Sequence, residues 1–155
     1  MKKMTKRKHY TLIHDPIKYV TEGVSPTPAA LLDRLRAKEL SAIESLSTGR
    51  GCVADWSNVV DMLNIAETLA GQGVGPEVLD VCKAAQDELA STAKRYQATS
   101  HMGLTGLGLA AVRELFAWHD AQRTAISRGQ YEAAIELTRQ RIRTHVGNVV
   151  DISQI

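Results

Sequence analysis

The sequence predicts an all-α protein, a single-domain bundle of about five helices preceded by an irregular basic N-terminal leader. A length of 155 residues suits one domain with a sizeable core. One Phe, two Trp and four Tyr are few aromatic residues, so the core must consist of Leu, Val, Ile and Ala. Five segments repeat apolar residues at helical spacing, and no segment of strand length alternates.

The chain divides into three parts. Residues 1–27 form the leader, which is basic and expected to be disordered at 1–9 and is broken up by prolines in its second half. Residues 28–146 form the helical bundle, and residues 147–155 form a short apolar C-terminal tail.

The first helix begins at Pro28, with Thr27 as its N-cap, and ends in the glycine-containing segment 48–51. The second helix runs from about Val53 to Ala70, and its wide apolar stripe predicts a central position. The predicted inward residues are Leu32, Leu35, Ala42, Ile43 and Leu46 in the first helix, and Trp56, Val59, Val60, Leu63, Ala66 and Ala70 in the second.

The third helix starts at Pro76, the fourth runs from about Thr105 to Arg128, and the fifth runs from about Gln130 to His145. Early acidic and late basic residues in the third and fifth helices match the helix dipole. The predicted inward residues are Val78, Val81, Cys82, Ala85, Leu89, Ala93 and Tyr96 in the third helix, Gly108, Ala111, Val112, Leu115, Trp118 and Gln122 in the fourth, and Tyr131, Ala134, Ile135, Thr138 and Ile142 in the fifth.

Charge is unevenly distributed along the chain. Residues 1–8 carry five basic residues and no acid, so the net charge of +2 leaves −3 for residues 9–155. Residues 33–93 hold 5 basic and 10 acidic residues, whereas residues 94–145 hold 8 basic and 4 acidic ones. The chain therefore consists of a basic tail, an acidic middle and a basic C-terminal part.

The sequence lacks the residue patterns of the common catalytic and metal-binding sites, so we predict neither an enzyme nor a bound cofactor or metal. Cys52 and Cys82 are too far apart for a redox pair or a zinc site, and Cys82 lies on an apolar stripe. His119 beside Asp120 is expected to be a helix-surface histidine. Without a secretory signal, a membrane span or a lipidation motif, the expected location is the cytoplasm.

Two glycine clusters, at 71–75 and 103–108, have neither a P-loop nor a dinucleotide-binding pattern. The first lies between two helices, and the second opens a helix. We expect Gly106 and Gly108 to allow close approach of neighbouring helices.

Two binding surfaces are predicted. An acidic face of the third helix would bind a protein with a basic groove, or mimic nucleic acid, through Glu77, Asp80, Asp87 and Glu88. The alternative is a nucleic-acid-binding accessory protein or transcriptional regulator whose tail and last helix grip a phosphate backbone. Its residues would be Lys2, Lys3, Lys6, Arg7, Lys8, Arg139, Arg141 and Arg143.

An ordered series of short motifs runs along the chain: Leu31-Leu32-Asp33-x-x-x-x-Lys38, Asp55-Trp56, Leu63-Asn64-Ile65-Ala66-Glu67-x-Leu69, Gly73-Val74-Gly75, Ala85-Gln86-Asp87-x-Leu89, Leu104-Thr105-Gly106 and His119-Asp120-Ala121-Gln122. This series resembles a family of small uncharacterised helical proteins encoded on proteobacterial prophages, plasmids and genomic islands, and the resemblance covers about residues 15–143. It implies a mobile-element context and no particular chemistry.

This context favours a non-enzymatic protein-binding factor of a phage or mobile element. It would bind or occlude a host or defence protein or nucleoprotein complex, and anti-CRISPR-like inhibitors are among the candidates. Membrane partners are not expected. The wide apolar stripe of the second helix also suggests a homodimer.

Overall fold

The computed structural model describes residues 23–144 and confirms the all-α bundle. The predicted disorder at 1–9, the tail at 147–155 and the five basic residues of the leader lie outside these residues. No helix of the described part is long and apolar enough to cross a membrane. The helices are α1 (Ala29–Ser47), α2 (Val53–Gly71), α3 (Val78–Thr99), α4 (Gly106–Ala125) and α5 (Arg128–Thr144).

Helices α1 to α4 run up and down in turn. The Leu104 backbone N–H donates to the Leu46 carbonyl at 3.0 Å, so the α1–α2 and α3–α4 loops lie at one end. At the other end the Gln122 side chain donates to the Val74 carbonyl in the α2–α3 loop, at 2.8 Å. Helix α1 also packs against α4, which closes the four helices into a bundle, and α5 packs against α2.

Helix α2 is central, as its wide stripe predicts, because it packs against each of the other four helices. Trp56 is fully buried, and its indole N–H donates to the Leu89 carbonyl of α3 at 3.0 Å. The apolar sides of α2, which suggested a homodimer, are therefore buried in the chain's own core. Any dimer would need a different surface.

The junction between α4 and α5 lies earlier than predicted. Helix α4 ends at Ala125 rather than near Arg128, and α5 begins at Arg128. The cause is a capping box: the Gln130 backbone N–H donates to the Ser127 hydroxyl at 3.2 Å, and the Ser127 N–H donates to the Gln130 side chain at 3.0 Å. An antiparallel bridge between Pro26 and Ser127 joins the residues preceding α1 to this junction.

The start of α1 differs from the prediction by one residue. Pro28 rather than Thr27 occupies the N-cap position, and its carbonyl accepts from the backbone N–H groups of Leu31 and Leu32. Thr27 is buried, and its hydroxyl has no hydrogen-bond partner within the described residues. The N-cap role predicted for Thr27 is therefore wrong.

Candidate functional site

A buried ionic cluster joins α1 to α4. The Arg123 guanidinium donates to both carboxylate oxygens of Glu39 at 2.8 Å each, and its Nε donates to Asp120 at 2.8 Å. Arg36 of α1 donates to the same Asp120 oxygen at 2.9 Å. The hydrogen bonds to Glu39 raise the pKa of Arg123 against the opposing effect of its burial, so the guanidinium stays charged.

His119 continues this cluster and is fully buried, so the predicted surface position is wrong. Its two ring nitrogens lie 3.3 Å from the Gln122 side-chain oxygen and 3.3 Å from the Tyr131 hydroxyl of α5. Burial, with a further contribution from Arg123, lowers the pKa of His119 to about 4, so its ring is neutral at pH 7. The sequence did carry a signal, since His119 follows Leu115 by four residues on the predicted inward face.

The polar groups of this cluster bond to one another and connect four helices. Gln122 also donates to the Ala66 carbonyl of α2 at 3.2 Å, so α2 joins α1, α4 and α5 in the network. Bonding of this kind satisfies buried polar groups and fixes the relative positions of helices. We therefore assign this cluster to the architecture of the bundle.

An open pocket of about 300 Å³ lies where α2, α3 and α5 meet, and we call it the α2–α5 pocket. Leu79 of α3 and Leu137 of α5 supply apolar walls, and the end of α2 supplies a polar side. Sequence reasoning missed this pocket, because its residues come from three separate helices. It is lined by Glu67, Thr68, Gly71, Gln72, Leu79, Leu137 and Arg141.

The α2–α5 pocket contains one of the predicted nucleic-acid-binding arginines. Arg141 is paired with Glu67 at 2.6 Å and donates to the Thr68 hydroxyl at 2.6 Å, with side-chain exposures of 18% for Arg141 and 16% for Glu67. Thr138 donates to the same hydroxyl at 2.8 Å. Arg141 is thus held against α2 rather than presented to a phosphate backbone.

The other two arginines of the predicted basic set remain on the surface of α5. Arg139 and Arg143 both pair with Glu136, at 3.6 Å and 3.2 Å. A carboxylate between two exposed arginines weakens the local positive potential. The five basic leader residues of that set lie outside the described part of the chain.

The four residues of the predicted acidic face of α3 do not all lie on the surface. Glu77, Asp80 and Asp87 are exposed, as expected. Glu88 is turned toward α4 instead, where its carboxylate accepts from the Thr105 backbone N–H at 3.1 Å and from Arg95 at 3.0 Å. These bonds lower the pKa of Glu88 although its partial burial acts in the opposite direction.

Gly108 provides the close approach that its position in the sequence predicts. A Cβ at Gly108 would overlap the Glu88 carboxyl group, so a larger residue here would force the Glu88 side chain to move. Gly106 does not share this role, because a Cβ there would meet nothing within 4 Å. The start of α4 therefore packs closely against Glu88. The Thr105 hydroxyl caps this helix by accepting from the Gly108 N–H at 3.0 Å.

The cysteines and histidines form no metal site in the described residues. Cys82 is a buried core residue, as predicted, and burial raises the pKa of its thiol to about 12. The chain matches no protein-family model, no curated protein and no solved structure.

Proposed function

We propose that this chain is a protein-binding factor that anchors a partner side chain in the α2–α5 pocket. The observation that carries the proposal is Leu79, a large apolar residue that is 44% exposed beside that pocket. Interface anchors fill small pockets of this kind and contribute most of the binding energy. An apolar wall beside a few polar groups is also typical of specific recognition sites.

The polar side of the pocket supports a defined orientation of the bound group. The Arg141–Glu67 pair is mostly buried and both residues line the pocket, so a group that enters it lies beside charged, hydrogen-bonding side chains. A partner side chain with an apolar body and a polar tip fits both features. Tyrosine has this chemistry and is common at interfaces.

Acidic residues near Leu79 in the sequence favour a basic partner surface. Glu77, at the N-cap position of α3, and Asp80, in its first turn, are both exposed. They retain part of the predicted acidic surface, at the same end of α3 as the pocket residue Leu79. We therefore expect basic residues near the anchor of the partner, which would raise the association rate.

The residue series that resembles mobile-element proteins supplies the context of the proposal. In that context the partner is a host or defence protein or nucleoprotein complex in the cytoplasm, and the chain acts by occlusion, as an anti-CRISPR-like inhibitor does. Binding requires no catalytic group from this chain.

The test is affinity capture from nuclease-treated host lysate with three baits: the wild-type chain, Leu79→Lys and Ala84→Lys. Ala84 is an exposed α3 residue that does not line the pocket, so it is the matched control. We expect one stoichiometric partner with the wild type and the control, and at least tenfold less of it with Leu79→Lys. Equal recovery with Leu79→Lys and the wild type, or no stoichiometric partner with the wild type, would contradict the proposal.

A further inference from the structure

The apolar interior of residues 23–144 consists of two unequal clusters. The larger one, which we call the four-helix core, is built only from α1 to α4 and the loops that join them. Trp118 of α4, which was predicted to face the core, is 37% exposed and does not belong to it. In the smaller cluster, Tyr131 and Ala134 of α5 pack against Leu69 of α2. Helix α5 is therefore attached to the four-helix core and is not a part of it.

The attachment of α5 buries little apolar surface. Three of its 17 residues are buried, against ten of 19 in α2. Much of the contact is made by polar side chains, since Thr138 donates to the Thr68 hydroxyl at 2.8 Å and Arg141 pairs with Glu67 at 2.6 Å. Water can replace such partners when the two surfaces separate, so these bonds contribute only modestly to the free energy of docking.

We infer that α5 undocks from the four-helix core as one unit while α1 to α4 stay folded. Segments with few buried apolar contacts open at a lower free energy than the rest of a domain, in contiguous cooperative units. The hinge would be the connection between α4 and α5, which consists of Ile126 and Ser127.

Undocking would remove the α2–α5 pocket, because Leu137 and Arg141 of its lining belong to α5. The docked fraction of the chain then sets how often the pocket exists. In a consequence that rests on the proposed function, a partner that binds the pocket would favour docked α5, and its apparent affinity would fall with the docked fraction. The undocking itself requires no partner, so it is tested separately.

The first test is native-state hydrogen exchange of the full wild-type chain, followed residue by residue by NMR. We expect the amides of residues 131–141 to share one opening constant and to exchange about 100-fold or more faster than the slowest amides of α2 and α3. Equal protection in α5, α2 and α3 would overturn the inference. So would protection that falls steadily from Tyr131 toward the end of α5, because that gradient indicates fraying of a docked helix.

The second test separates undocking from global unfolding with a core variant. Val112 of α4 is fully buried in the four-helix core, which stays folded when α5 undocks. Val112→Ala should therefore speed exchange of the slowest α2 and α3 amides at least tenfold and leave the α5 amides unchanged. Equal acceleration of the α5 amides would show that α5 opens only together with the core, and would overturn the inference.

The third test weakens docking alone. Arg141→Gln leaves Glu67 half-enclosed without its partner, and undocking returns that carboxylate to water, so exchange of the α5 amides should accelerate at least fivefold. Arg139→Gln is the matched control, because Arg139 is 68% exposed and pairs with Glu136 within α5 itself. Unchanged α5 exchange in Arg141→Gln, or equal acceleration by Arg139→Gln, would contradict the undocking of α5 from α2.

Discussion

Glu39 of α1 and Arg123 of α4 form a two-point ion pair across 84 residues of sequence, with both nitrogen–oxygen distances at 2.8 Å. The Arg123 side chain is 0% exposed and that of Glu39 is 9% exposed. Transferring two charges out of water is costly, so such a pair contributes little net stability. Its geometry instead determines how α1 sits against α4, because any displacement leaves a buried charge without its partner.

The first prediction concerns removal of one member of this pair. Arg123→Met should lower the free energy of unfolding by about 3–5 kcal/mol, because Glu39 then remains buried without its partner. The double variant Glu39→Leu with Arg123→Met should recover most of that loss. Urea unfolding followed by circular dichroism measures both effects.

The control for this experiment is Arg139→Met. Arg139 is an exposed arginine of α5, 3.6 Å from Glu136. Its loss should change the free energy of unfolding by less than about 1 kcal/mol. If the double variant is as unstable as Arg123→Met, the cost lies in lost packing rather than in an unpaired charge.

The second prediction compares two glycines of α4. Gly106→Ala should be neutral or stabilising by up to about 1 kcal/mol, since alanine favours the helix and its Cβ meets open space. Gly108→Ala should destabilise by about 1–3 kcal/mol, because its Cβ would displace the Glu88 carboxyl group. Thermal unfolding of the two variants distinguishes these opposite signs.

The role of Glu88 can be isolated with a double-mutant cycle. In a Glu88→Ala background the obstructing carboxyl group is absent, so Gly108→Ala should cost little or nothing. If Gly108→Ala costs the same in both backgrounds, contact with Glu88 is not the reason for glycine at this position.

Much of the fold could be predicted from apolar periodicity. The stripe of α3 placed Val78, Cys82 and Leu89 in the core, where all three are buried. The end of α4 could not be found in this way, since apolar spacing continues through Ile126. The capping box of Ser127 and Gln130 marks that boundary, and it is visible in the sequence as a polar pair three residues apart.

The buried ionic cluster and the candidate site were much less predictable. Periodicity assigns polar residues to the solvent, so Arg123 and His119 were not predicted in the core, although both are fully buried. The interior accepts them only because partners from other helices satisfy them, and those partners are distant in sequence. The α2–α5 pocket depends in the same way on how α3 and α5 sit against α2.

The third prediction concerns the pH dependence of stability caused by His119. Its pKa is about 4 in the folded chain against an ordinary value of 6.5. As the pH falls from 6.5 toward 4, the unfolded chain takes up a proton at His119 that the folded chain does not, so stability is lost. At pH 4.5 this loss should amount to about 2 kcal/mol, and it should level off below pH 4.

The measurement for His119 is the free energy of unfolding of wild type and His119→Gln at pH 7 and pH 4.5. The variant should be less stable at pH 7 but should lose about 2 kcal/mol less on acidification. Asp120 and Glu88, whose pKa values are lowered by hydrogen bonds from arginine and threonine despite partial burial, also lose stability in acid. Asp120 and Glu88 are present in wild type and in His119→Gln, so their contribution cancels when the two losses of stability are compared. Equal losses in both proteins would mean that His119 takes up its proton without unfolding, and that the contacts of its ring with Gln122 and Tyr131 tolerate the charge.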